Sequence, residues 1–167
     1  MGYKNSGKTT LACRLIKRLV TMGLQTAVIK HHGHEAETEP NGCDTRRQRE
    51  AGAVWSAIAS PVQTAIVHEA PFSLDMLIRQ VPPTIDFILV EGFKREAYPK
   101  LLLARESSDL QFIHELKGLT GVGLWPELYA RHTELSLPEG LAVFHIEEPG
   151  SIAAHVLLQF PQPLTPA

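Results

Sequence analysis

Three features of the chain predict an α/β fold with a mainly parallel sheet between two helical layers. First, short apolar runs of strand length alternate with helical ones along most of the 167 residues, the pattern that builds a parallel sheet covered on both faces. Second, residues 2–9 read Gly-Tyr-Lys-Asn-Ser-Gly-Lys-Thr. Two glycines bracket four residues and are followed by Lys and Thr, the pattern of a phosphate-binding loop. Third, Leu11, Leu15, Ile16, Leu19 and Val20 recur at helical spacing directly afterwards, so the loop opens a helix.

The spacing has a mechanical reason. Glycines let the backbone wrap round a triphosphate with several N–H groups pointing inward, and the helix N-terminus adds its positive dipole. Gly2, Tyr3, Lys4, Asn5, Ser6, Gly7, Lys8 and Thr9 are the expected cradle. Lys8 would meet the β and γ oxygens, and the Thr9 hydroxyl would sit on Mg²⁺. The bland alternative, a glycine-flanked turn capping an ordinary helix, explains neither the Lys nor the Thr. The fold class is therefore read as a three-layer, P-loop NTPase-like α/β domain. Such a loop hangs from the end of an apolar strand, yet Met1 stands one residue before the first glycine. Either the first strand has been lost or the fold closes without it; loss is the favoured expectation, at a cost in stability, because a central parallel strand is buried on both faces.

The elements follow in order. A helix is expected over Lys8–Met22, closed by Gly23, then a strand over Gln25–Lys30 and a polar loop from His31 to Cys43. Asp44–Gly52 reads as a short helix, and Val54–Ala59 with Thr64–Val67 as two strands turning at Pro61, a β-hairpin inserted into the parallel core. Ser73 caps a helix through Gln80 that Pro82 and Pro83 terminate. Ile85–Val90 is a buried strand, followed by strand Lys100–Ala104, a helix near Asp109–Leu116 and strand Thr120–Leu124. A loop through Pro126, strand Ala142–Ile146 and helix Ser151–Phe160 complete the domain. Residues 1–160 are read as one nucleotide-binding domain and 161–167, with three prolines, as a disordered tail.

Composition narrows the function. A formal net charge of −2 offers no electrostatic footprint for nucleic acid or an anionic membrane. No apolar run approaches the roughly 20 residues of a membrane span. Cys13 and Cys43 lie in no metal or redox spacing, so a reduced, cytoplasmic protein is expected.

Ligands of a parallel sheet bind at the carboxyl ends of its strands. This separates the two acids around 86–91, which stand roughly 16 Å apart along a strand. Asp86 enters that strand; Glu91 leaves it on the nucleotide's side. Glu91 is read as the carboxylate that serves Mg²⁺ or orients a nucleophile, with Gly92 giving the γ-phosphate room. Lys30, His31, His32 and His34, with Glu35 and Glu37 nearby, follow the preceding strand and reach the same edge. They are read as a phosphate-contacting or substrate loop, since Mg²⁺ prefers oxygen and no matching ligand set for a transition metal stands elsewhere. Asp44 either caps its helix, with Arg46 and Arg49 on a solvated face, or lies near the metal with an arginine on a phosphate. The sequence leaves both open.

The loop at 2–10, Val-Ile-Lys-His-His-Gly-His at 28–34, Asp-Thr-Arg-Arg-Gln-Arg-Glu-Ala-Gly-Ala at 44–53 and Phe-Ile-Leu-Val-Glu-Gly-Phe-Lys at 87–94 occur in one order and spacing. That combination resembles the MobB family of molybdopterin-guanine dinucleotide biosynthesis adapter proteins, strongly from Gly2 to about Arg105. The resemblance implies a homodimeric GTP-binding adapter. It would assist the nucleotidyltransferase that joins a GMP unit to molybdopterin, with weak Mg²⁺-dependent hydrolysis. Carried over, residues 2–10 hold phosphates, Thr9 and Glu91 serve Mg²⁺, and segments 30–34 and 44–49 line the pterin's entrance. No Asn/Thr-Lys-x-Asp box reads guanine; Glu127, after the strand ending at Leu124, stands near where such an acid would act. A small-molecule kinase and a nucleotide-dependent partner without turnover stay open as alternatives.

Overall fold

A computed structural model describes Gly2, residues 6–32 and residues 42–159. In chain order its elements are α1 (Lys8–Thr21), β1 (Thr26–Lys30), α2 (Asp44–Glu50), β2 (Trp55–Ala59), β3 (Thr64–His68), α3 (Leu74–Gln80), β4 (Phe87–Glu91) and β5 (Lys100–Ala104). A 3-10 helix at Ser107–Phe112 leads to β6 (Leu119–Leu124) and α4 (Pro126–Tyr129). A second, at His132–Glu134, precedes β7 (Ala142–His145) and α5 (Pro149–Leu158). The tail expected at 161–167 lies outside the described residues. The chain divides into two compact units, Met1–His31 with Val81–Ala167, and His32–Gln80.

In the first unit the pairing is parallel throughout. β1 runs beside β4 with Thr26 opposite Phe87 and Lys30 opposite Glu91, and β6 lies between β5 and β7. The run Leu101–Ala104 looks uniformly apolar because both faces of its strand are covered. Leu103 joins Leu11 and Leu15 of α1 and Ile152 and Ala153 of α5 in one core. Leu102 and Ala104 turn to the opposite core, with Ile113, Val122, Leu124 and Leu128. Successive strand side chains alternate faces, so one sequence run feeds two cores and three layers result. On the α1/α5 face Gly121 and Gly123 leave space: a Cβ at either would fall 2.9 Å or 2.8 Å from the Leu101 or Leu103 side chain.

The second unit contains the hairpin. β2 and β3 pair antiparallel, Trp55 opposite His68 and Ala59 opposite Thr64, and Ser60 closes the turn on Gln63. Arg49 of α2 is buried, donating to Glu69 at 2.6 Å and to Ser56 at 3.0 Å. It ties the helix to both strands' ends. Arg49→Ala leaves the buried Ser56 hydroxyl without that donor and should destabilise the protein by about 1–3 kcal/mol. A melting temperature unchanged from the parent would show the tie to be idle.

Two expectations differ from the structure. The helix expected at 109–116 is a 3-10 helix over Ser107–Phe112. Glu106 and Asp109 form a capping box there, starting the turn early. The stretch through Pro126, expected as a loop, contains α4 with Pro126 in its first turn, where the missing N–H costs nothing. Among the described residues, no helix is long and apolar enough to cross a membrane.

Candidate functional site

The second glycine of the segment expected to cradle phosphate does the turning. Gly7 takes left-handed backbone, φ 83° and ψ 10°, and α1 starts at the next residue, with first-turn N–H groups that its own helix does not pair. A side chain at Gly7 would be strained by that φ and would also press on Trp125 at 3.2 Å. The first turn of α1 carries no acid, so the positive end of its dipole is left for an external anion. Ser6 beneath it is buried. Lys8 Nζ lies 3.5 Å from Ser6 Oγ, bringing the ammonium back over the loop.

Next to the loop stands the acid from β4. The Thr9 hydroxyl lies 3.5 Å and 3.4 Å from the two Glu91 carboxylate oxygens, across 82 residues of sequence. Adjacent oxygens on an octahedral Mg²⁺ lie about 3.0 Å apart, so these two donors fit one ion, directly or with water on the Glu91 side. Lys30 Nζ is 3.7 Å from Glu91 Oε1, placing a cation opposite the same carboxylate. The backbone then reverses sharply: Gly92 has φ 103° and Phe93 φ 48°, while His31 donates its N–H to the Glu91 carbonyl at 2.8 Å. A Cβ at Gly92 would fall 2.7 Å from that of His31, and the His31 and Phe93 rings meet at 4.7 Å. The glycine is required by the chain's own packing, whatever room it gives a phosphate.

Asp86 is at the far end. Its carboxylate accepts from Gln25 N–H at 2.7 Å and holds the starts of β1 and β4 together. Thr10 is exposed in the first turn of α1. His32 is exposed and, with Asp44, belongs to the second unit. The N-cap of α2 is Cys43, so Asp44 is the first helical residue and supplies an acid to the first turn without capping it. Arg46 pairs with Glu50 at 3.0 Å, and Arg49 is engaged as described. Tyr3, Lys4, Asn5, His34, Glu35 and Glu37 lie outside the described residues.

Sequence reading passed over Trp125. Its indole N–H donates to the Ser6 carbonyl at 3.1 Å, so it braces the loop from the end of β6. The available signal was positional: an aromatic residue immediately after the carboxyl end of a parallel strand stands on the ligand edge.

A family model described as molybdopterin guanine dinucleotide synthesis protein B, MobB, matches residues 1–122. The chain belongs to the MobB family. It is 43% identical to a Haemophilus influenzae molybdopterin-guanine dinucleotide biosynthesis adapter protein over 63% of its own length, spanning 61% of that relative. A Bacillus subtilis protein named a probable adapter of the same kind is 32% identical over 91% of this chain and 86% of its own. The crystal structure of Bacillus subtilis MobB superposes with a TM-score of 0.74 and 29% identity, covering 96% of this chain and 94% of that one. The MobB fold is thus the α/β, P-loop NTPase-like arrangement that the loop and the parallel strands anticipated.

Proposed function

We propose that this MobB-family chain binds GTP with Mg²⁺ on the loop at residues 2–10. In this reading it serves as an adapter for the nucleotidyltransferase that makes molybdopterin guanine dinucleotide, hydrolysing GTP slowly as a side activity. The observation that carries the reading is Thr9 facing Glu91 at 3.4 Å beside the left-handed Gly7. The names of the Haemophilus influenzae and Bacillus subtilis relatives support the adapter role.

Each residue has a task. Gly7 turns the first N–H groups of α1 toward the phosphates, and Lys8 neutralises charge on the β and γ oxygens. Thr9 Oγ1 and Glu91 would hold Mg²⁺, which would supply polarisation of the terminal phosphate. Lys30 balances the Glu91 charge, 3.7 Å away, and would be available to a phosphate oxygen if Glu91 held a metal. His31 steadies the reversal after Glu91 through its main-chain bond. The exposed hairpin side chains Trp55, Ile58 and Ile66 offer a homodimer an apolar surface, and the cytoplasm supplies both GTP and the pterin.

Titrating GTP and ATP separately, with and without Mg²⁺, tests the reading alongside capture of the nucleotidyltransferase on immobilised protein. We expect Mg²⁺-dependent GTP binding, slow phosphate release to water and capture of the transferase. Transfer of labelled γ-phosphate to an organic acceptor would instead make the protein a kinase.

A further inference from the structure

A nucleotide lying on this loop has two ends, and the structure marks one of them. Thr9 and Glu91, 3.4 Å apart at the carboxyl end of β4, define the flank for metal and terminal phosphate. The opposite flank is built by β5 and β6. A Cβ on Gly2 would fall 2.8 Å from the Leu103 carbonyl of β5, and Ser6 and Gly7 rest against Trp125, just past β6. A triphosphate with its terminal phosphate at Thr9 and Glu91 would carry its ribose and base toward the carboxyl ends of β5 and β6, where ligands of a parallel sheet bind.

A flat cation waits there. Trp125 is pinned twice, its main-chain N–H donating to Ala104 O at 3.1 Å and its indole N–H to Ser6 O at 3.1 Å. Arg105, the residue after β5, lays its guanidinium over the Trp125 ring, 4.8 Å from the centroid. Its backbone is held as well, because the buried Asp109 carboxylate accepts from the Arg105 N–H at 2.7 Å. The indole beside it and the held backbone keep the Arg105 guanidinium next to the ring that braces Ser6, while the residue is exposed. Guanidinium planes stack on aromatic faces and on nucleobases alike.

We propose that Arg105, carried on Trp125, is the shelf on which the purine base of the bound nucleoside triphosphate stacks. This deepens the nucleotide reading above and rests on it. The shelf adds affinity through the base and leaves the phosphates to the loop. It supplies a contact to the base in a chain without an Asn/Thr-Lys-x-Asp box.

Binding of GTP and of inorganic tripolyphosphate, each with Mg²⁺, separates the two parts. We expect the parent to bind GTP at least tenfold more tightly than tripolyphosphate. Arg105→Ala and Arg105→Lys should each lose about tenfold for GTP, the scale of a stacked base, with tripolyphosphate unchanged. The lysine variant keeps the charge and loses the plane. In a Trp55→Phe background, which leaves Trp125 as the one tryptophan of the two in the chain, GTP should quench its fluorescence more than tripolyphosphate does. Equal losses for both ligands in Arg105→Ala would make Arg105 a phosphate contact. No loss for either would remove it from the site. Both results overturn the shelf and leave the phosphate loop intact, whereas a parent that binds neither ligand overturns both readings.

Discussion

Lys8→Ala is expected to weaken GTP binding on the order of a hundredfold while leaving GMP binding nearly unchanged. The residue opens α1 directly after the left-handed Gly7, and its ammonium lies 3.5 Å from Ser6 Oγ, back over the loop. A charge-assisted contact of this kind contributes about 1.5–3 kcal/mol, and in the proposed complex it would be made to the β and γ oxygens, which GMP lacks. Lysine acts on phosphate as a compact point charge, so Lys8→Met, which keeps the helix and the stem, should lose as much. Since alanine favours helix, α1 should persist and the melting temperature should fall little. Isothermal titration with both nucleotides decides the matter: equal losses for GTP and GMP would remove Lys8 from the phosphate site.

The second large effect separates two acids at opposite ends of β4. Glu91→Gln keeps the shape and removes the charge facing Thr9 at 3.4 Å, and it should lower Mg²⁺-dependent hydrolysis by about 10- to 100-fold, as loss of a group supporting a metal usually does. The ion pair with Lys30 at 3.7 Å is half exposed on the lysine side and contributes little to stability, so the fold should be nearly unaffected. Asp86→Asn predicts the reverse. Its carboxylate receives Gln25 N–H at 2.7 Å, at the end of β4 remote from the loop, so stability should drop by about 1 kcal/mol with hydrolysis intact. Phosphate-release assays and thermal melts on the two variants, run together, test strand direction and chemical role at once. Loss of hydrolysis in Asp86→Asn would place the nucleotide at the wrong end of the sheet.

Much of the fold was legible because it follows from local rules. Gly7-Lys8-Thr9 with its apolar helix, the Leu101–Ala104 run and the Ser73 cap, whose hydroxyl accepts from Met76 N–H at 3.2 Å, all depend on neighbours within a turn or two. The strand rule also chose Glu91 over Asp86, since direction in a parallel sheet is a property of the topology. Reading failed where several local rules compete. Leu110, Ile113 and Leu116 have helical spacing, but the Glu106 and Asp109 capping box opens a 3-10 turn sooner. Arg49 looked like a surface or phosphate residue because an arginine's partners are invisible in sequence; here Glu69 and Ser56 bury it.

The sequence by itself determined the turn at Gly7 that opens α1, the parallel α/β class and the family. Each is carried by a short run of residues whose backbone geometry or periodicity is set locally. Only the tertiary structure decided what surrounds that turn. Thr9 meets Glu91 across 82 residues and Trp125 meets Ser6 across 119. Arg105 finds its ring only because β5 and β6 lie side by side in register. Contacts at such separation arise from how strands order themselves in a sheet and two cores close around them. That order follows from the packing of the whole unit, which no local stretch of residues encodes.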